Sequence, residues 1–204
     1  MKEISHSTEG IILEAAKKIF VEYGYDGARM QQIADEAGIN KALLHYYFRS
    51  KDNLFDYIFD KSFREFLPDI STIMMSDLSF EEKIKKFVSH YIDALINNPH
   101  LPVFVLHELQ RKPERIVNLI KSSGINPAKV GEMLKRESDK GKIIMMPVEH
   151  LIVNMIGMCI FPFIGRPILE GFIFNGNAKA FDRFLGERKA LVAEFVINAL
   201  RKNQ

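Results

Sequence analysis

Between Met30 and Phe48 the chain carries two apolar stripes of helical spacing, each about two turns long, with nothing between them but Gly38-Ile39-Asn40. Met30, Ile33, Ala34 and Ala37 share one face of the first stretch, and the second runs from Lys41 to Phe48. Gly38 has the permissive backbone that a tight turn needs, and Asn40 stands where its side chain can cap the helix that follows. A longer stripe precedes them: Ile12, Ala15, Ala16, Ile19, Phe20 and Tyr23 recur at three- and four-residue intervals, after the capping candidates Ser7 and Thr8 and before a stop at Gly24. One longer helix followed by two short ones joined through a glycine turn has the size and turn chemistry of a helix-turn-helix, with the second short helix as its recognition helix.

The same periodicity continues to the far end. Leu54, Phe55, Ile58, Phe59, Ser62, Phe63 and Phe66 hold one face of a connecting helix up to Pro68, which is expected to kink or end it and to act as a hinge. Ser79 and Glu82 form a capping box ahead of a helix that stops near Asn98-Pro99. Two shorter helices follow at about 101–111 and 113–123, Asn126-Pro127 opens another with Gly141 beyond its end, and Pro147 opens an apolar one. Asn177 opens the last helix, which ends near Lys202. No internal repeat and no alternating strand pattern interrupts this, so the expected fold class is all-α. The expected division is a helix-turn-helix domain over residues 1–50 and a helical ligand-sensing and dimerisation domain over 51–204.

Composition narrows the function. Of 204 residues, 47% are apolar and 26% charged, which is ordinary globular usage and excludes a mainly disordered chain. A single cysteine, Cys159, cannot form an internal disulfide, and the opening MKEISHSTEG lacks the apolar run of a signal peptide; both point to the cytoplasm. The longest stretch free of Asp, Glu, Lys and Arg is the 16 residues His150–Gly165, short of the roughly 20 that span a bilayer, so no membrane partner is expected. The six histidines show no His-Glu-x-x-His spacing, and no nucleophile elbow, P-loop or dinucleotide fingerprint occurs. Neither catalytic residues, nor a metal site, nor a cofactor is expected.

A formal charge of +2 is too small to argue for nucleic acid by bulk electrostatics, so placement must carry that claim. Residues 1–51 hold seven basic and seven acidic side chains, yet residues 39–51, INKALLHYYFRSK, contain Lys41, Arg49 and Lys51 and no acid. Positive charge therefore gathers on the segment that would lie against DNA. The competing reading is an amphipathic surface helix with Leu44 and Phe48 packed inward and its cations merely solvated, or a helical module that uses the motif to bind a protein.

The anchors IL-x-AA-x-x-x-F, Gly24-Tyr25, IA-x-x-AGI and L-x-x-YF-x-SK-x-x-L, spread over about residues 8–60, resemble the N-terminal region of tetracycline-repressor (TetR) family transcription regulators. The rest resembles that family in helix count and in ending with two apolar helices. The resemblance implies operator contacts at Gln31, Lys41, Ala42, His45 and Tyr46, with Tyr47 and Lys51 at phosphates. Gln31 and Lys41 have donors long enough for base edges, Ala42 lets the helix approach the groove, and the rings suit sugars or thymine methyls. Lys51 would join the free N–H groups of a helix start in holding a phosphate. Departures from the family pattern are the missing hydroxyl near Ala28-Arg29, Leu43 in place of a small hydroxyl residue, and the order His45-Tyr46.

In the C-terminal region, nine of the eleven residues of ALVAEFVINAL (190–200) are apolar, a wider band than one packing stripe needs. Paired with the apolar helix 148–164 across a two-fold axis, it would build an intersubunit four-helix bundle, and a homodimer is expected. Phe87, Tyr91, Phe104, His107, Met133, Met155, Met158 and Cys159 are the candidate lining of a pocket for a small apolar or amphipathic effector, since methionines and aromatics suit adaptable sites. The expected function is a ligand-released repressor that binds a palindromic operator as a dimer; its effector and operator sequence are not written in these residues.

Overall fold

A computed structural model describes residues 7–202. The chain is helical: α1 Thr8–Gly27, α2 Met30–Glu36, α3 Lys41–Tyr47, α4 Lys51–Met75, α5 Phe80–Asn97, α6 Leu101–Arg111, α7 Pro113–Ser122, α8 Pro127–Asp139, α9 Val148–Ile164, the single turn α10 Arg166–Ile168 running into a π-helical turn Leu169–Ile173, and α11 Ala178–Leu200. Among the described residues the only β-pairing is an isolated bridge between Ile143 and Arg201. No single helix of the described residues is long and apolar enough to cross a membrane. The chain packs as two compact units, one of residues up to Glu65 with Pro99–Ile116, the other of Phe66–Asn98 with Val117 onward.

Local chemistry sets most boundaries. Ser7 Oγ accepts from Gly10 N at 3.1 Å at the start of α1, and Asn40 Oδ1 accepts from Leu43 N at 2.8 Å at the start of α3. Gly24 breaks α1 with φ 68° and ψ 177°, a conformation that a side chain would strain, and the chain adds one more turn before Ala28. Gly38, at φ 66°, makes the corresponding turn between α2 and α3. The capping box of α5 is formed, with Glu82 N donating to Ser79 Oγ at 3.3 Å and Ser79 N donating to Glu82 Oε2 at 3.0 Å. Asn126 and Asn177 cap α8 and α11 through Ala128 N and Ala180 N.

Two segments differ from the sequence expectation. Pro68 neither ends nor breaks α4, which runs on to Met75. The ring removes only the bond to the Arg64 carbonyl, and Leu67 and Ile70 on either side are buried, so packing holds the helix through it. The segment between α9 and α11, to which the periodicity assigns no element, forms α10 and the π-helical turn, closed by Gly176 N donating to the Glu170 carbonyl at 2.8 Å.

The first unit is cored by aromatic rings. Phe20 meets Phe55 and Phe104 edge-on at 5.3 and 5.5 Å, and Phe55 stacks on Phe104 at 4.3 Å. The second unit is cored where α5, α9 and α11 meet, around Ile84, Val88, Ile92, Leu151, Cys159, Ala193, Val196 and Leu200.

Candidate functional site

The short helix α3 turns one side inward and leaves the rest to solvent. Leu44 and Phe48 are buried, while Lys41, Ala42, His45, Tyr46, Tyr47 and Arg49 are exposed, Tyr46 at 81%. Buried positions four apart are the anchoring stripe of an amphipathic helix, and they leave a broad face with cations, aromatics and no acid. The Tyr46 and Tyr47 rings meet edge to face at 5.6 Å. His45 Nδ1 lies 3.2 Å from the Arg49 carbonyl, which turns the ring along the helix.

In α2, Ile33 and Ala34 are buried and Gln31 is exposed, with its amide donating to Asp35 Oδ1 at 2.8 Å. The missing hydroxyl near Ala28 is offset from the other side: Gln32 Oε1 accepts from Arg29 N at 2.9 Å, so the first turn of α2 is capped by a residue inside it.

Lys51 is placed otherwise than a phosphate ligand requires. Its Nζ donates to the carbonyls of Tyr25 at 2.7 Å, Ala28 at 3.0 Å and Asp26 at 3.4 Å, and lies 4.4 Å over the Tyr25 ring. Three donors meet three carbonyls at the end of α1, where unpaired C=O groups carry the negative end of the helix dipole. In this conformation the ammonium fastens the start of α4 to the end of α1.

Around that joint stands a charged and aromatic cluster that the sequence motifs did not mark. The Tyr25 hydroxyl donates to Asp52 Oδ1 at 2.6 Å, and Asp52 also pairs with Arg111. Burial, then the Asp52 hydrogen bond, raises the Tyr25 pKa, while the Tyr25 hydrogen bond and Arg111 lower that of Asp52. Arg115 bonds Asp56 at 2.5 Å, Asp60 at 2.9 Å and the wholly buried Glu108 at 3.2 Å. Asp52, Asp56 and Asp60 recur every four residues along α4, a visible signal; their arginine partners on α6 and α7 lie 55 to 59 residues away, which periodicity cannot find.

Of the eight candidate pocket residues, six gather in the second unit and two belong to the first. Phe87, Met155 and Cys159 are in the core of the second unit, with Tyr91, Met133 and Met158 packed against it. Phe104 and His107 belong to the first unit, where Phe104 stacks on Phe55 and His107 stacks on Tyr25 at 4.0 Å. Their spacing on α6 suits either location, and only the packing assigns them to the ring cluster. A groove of about 460 Å³ opens in the second unit between Met74–Phe80 and α8, and of the eight residues only Met133 lines it. Among the described residues no three His, Cys, Asp or Glu side chains gather as metal ligands.

The chain is similar to known proteins in sequence and in fold. Residues 12–58 match the family described as "Bacterial regulatory proteins, tetR family". The chain is 22% identical over 161 residues to the "Probable HTH-type transcriptional regulator YttP" of Bacillus subtilis, covering 78% of each chain. It is 48% identical over 44 residues to the "HTH-type transcriptional regulator RutR" of Escherichia coli K12, covering 22% of this chain and 21% of that one. Among solved structures, the ketosteroid transcriptional regulator KstR2 of Mycobacterium tuberculosis superposes with a TM-score of 0.75 at 18% identity, covering 97% of both chains, which is a likeness of fold.

Proposed function

The chain belongs to the TetR family of transcription regulators, and we propose that it is a cytoplasmic repressor that binds a palindromic operator as a homodimer and is released by a small apolar or amphipathic effector. The observation that carries the reading is the exposed face of α3: Lys41, Ala42, His45, Tyr46 and Tyr47 stand clear of the packed Leu44 and Phe48 with no acid among them. Cations and aromatic edges on a helix of this width suit a major groove. Gln31 adds a donor from α2 once its bond to Asp35 is exchanged for a base edge. Lys51 contributes by fastening the start of α4 to the end of α1, which leaves the free N–H groups of that helix start to suit a phosphate. Residues 1–50 carry the reading function and 51–204 the sensing and pairing functions.

Pairing is supported by apolar side chains left in solvent in the second unit: Val153 and Phe161 on α9 are 67% and 60% exposed, and Leu191 and Phe195 on α11 are 58% and 65% exposed. Exposed aromatics and leucines at this density are costly for a monomer and ordinary for a subunit interface. A two-fold pair would set its recognition helices about 34–36 Å apart, one turn of duplex.

Selection from random duplex oligonucleotides at moderate salt tests the reading. Recovery of an inverted repeat with half-sites one helical turn apart is the expected outcome. Recovery of no sequence, with no salt-dependent affinity for any duplex, would instead leave α3 as a protein-binding surface.

A further inference from the structure

Residues 7–51 hold six lysines and arginines, and three of them are already engaged within the protein. Lys17 pairs with Glu14, Lys18 pairs with Glu36, and the Lys51 ammonium is taken up by the carbonyls of Tyr25, Asp26 and Ala28. Arg29, Lys41 and Arg49 are exposed, and among the described residues none of the three bonds an acid or a carbonyl through its charged group. Lys41 belongs to the reading face of α3. Arg29 stands at the start of α2, where neither the motif nor the family pattern assigns a contact to it.

One peptide unit, Ala28–Arg29, is bonded at both ends. Its carbonyl accepts from Lys51 Nζ at 3.0 Å, and its N–H donates to Gln32 Oε1 at 2.9 Å. Ala28 is 2% exposed, so one side of this peptide is sealed into the first unit while Arg29 is left to solvent. The Arg29 Cα is thereby fixed two bonds from the carbonyl carbon on which Lys51 is anchored, and its guanidinium keeps all of its donors available. An ammonium has only three donors, and those of Lys51 meet three carbonyls, so the phosphate that motif spacing offers to Lys51 needs another cation. In a helix-turn-helix the first helix crosses the duplex backbone while the second enters the groove, and α2 is the first. A cation at the start of α2 therefore faces sugar and phosphate rather than a base edge.

Resting on the DNA reading above, we infer that Arg29 is a phosphate-binding residue of this chain: its guanidinium receives the duplex backbone where α2 crosses it, and Lys51 stands behind it as the anchor of its peptide. The two cations divide one task. Direct contact falls to the residue whose charge is still available, and a planar fork matches two oxygens of one phosphate where an ammonium meets them as a point charge.

The test measures the affinity of the full chain, against salt concentration, for the duplex recovered by selection and for a random-sequence duplex pool. Arg29→Gln is expected to lower the slope of log affinity against log salt by about one for each copy of the motif on the duplex. It is also expected to weaken both duplexes by a similar factor and to leave the unfolding temperature unchanged, since the guanidinium has no partner within the chain. Arg29→Lys, which keeps the charge and loses the fork, is expected to keep the slope. Lys61→Gln removes an exposed cation from α4 ten residues beyond Lys51 and controls for net charge; its slope is expected to match wild type. An Arg29→Gln slope as steep as that of Lys61→Gln overturns the inference and leaves the DNA reading standing on the wild type. A changed preferred sequence in Arg29→Gln would make the residue a reader of bases and also overturn it. No salt-dependent affinity of the wild type for either duplex removes the DNA reading, and the inference with it.

Discussion

Lys51 illustrates how one side chain changes meaning once its surroundings are known. Motif and charge place it at a phosphate; its ammonium instead binds three carbonyls at the end of α1. Lys51→Met should therefore destabilise the first unit by about 2 kcal/mol, the scale of a charged hydrogen-bond cluster, and weaken operator binding without changing the slope of affinity against salt. A slope lower by about one with unchanged thermal stability would return the ammonium to a phosphate. His100 makes a second residue-scale prediction. It is buried against Phe104, with Nε2 3.0 Å from Ser62 Oγ, and burial lowers its pKa from 6.5 to about 3. Between those values the unfolded chain takes up a proton that the folded one refuses, so stability is full above pH 6.5 and falls as pH drops toward 3. Unfolding temperatures measured from pH 7 to 4 should decline, and His100→Gln should flatten part of that decline; a variant curve parallel to wild type would assign the slope to other groups.

At the scale of elements, the helix ends follow local rules while α4 overrides one. Ser7, Asn40, Ser79, Asn126 and Asn177 all cap where their position in the sequence says they should, because a cap needs only its own next three residues. Pro68 is exposed in the middle of a helix whose Leu67 and Ile70 are buried, so tertiary contacts sustain the turn that the ring weakens. Pro68→Ala should restore the bond to the Arg64 carbonyl and raise the unfolding temperature, by up to about 3 kcal/mol of stability. A variant no more stable than wild type, with altered response to effector, would make Pro68 the hinge that the sequence first suggested.

For the whole molecule, the deciding surface is the apolar one of α9 and α11. Leu191 and Phe195 are four apart on α11 and more than half exposed, so replacing both by glutamate removes little packing within the chain and places charge at the proposed subunit interface. The double variant should sediment as a monomer with unchanged helical circular dichroism and bind an operator far more weakly, since one recognition helix loses the contribution of its twin. A double variant that stays dimeric would locate the subunit contact elsewhere.

What this sequence settled by itself is everything that depends on near neighbours along the chain: the helical class, the caps, the glycine turn at Gly38 and the inward anchors Leu44 and Phe48. Each is decided by periodicity or by the next few residues. The tertiary structure alone decided which distant groups meet: Phe104 and His107 in the ring cluster of the first unit, Arg115 among Asp56, Asp60 and Glu108, and Arg188 on the Met158 carbonyl that Pro162 leaves without a helical donor. Such pairings are set by how helices pack against one another, and helical spacing, which names the face of a helix, carries no record of the partner that face will find.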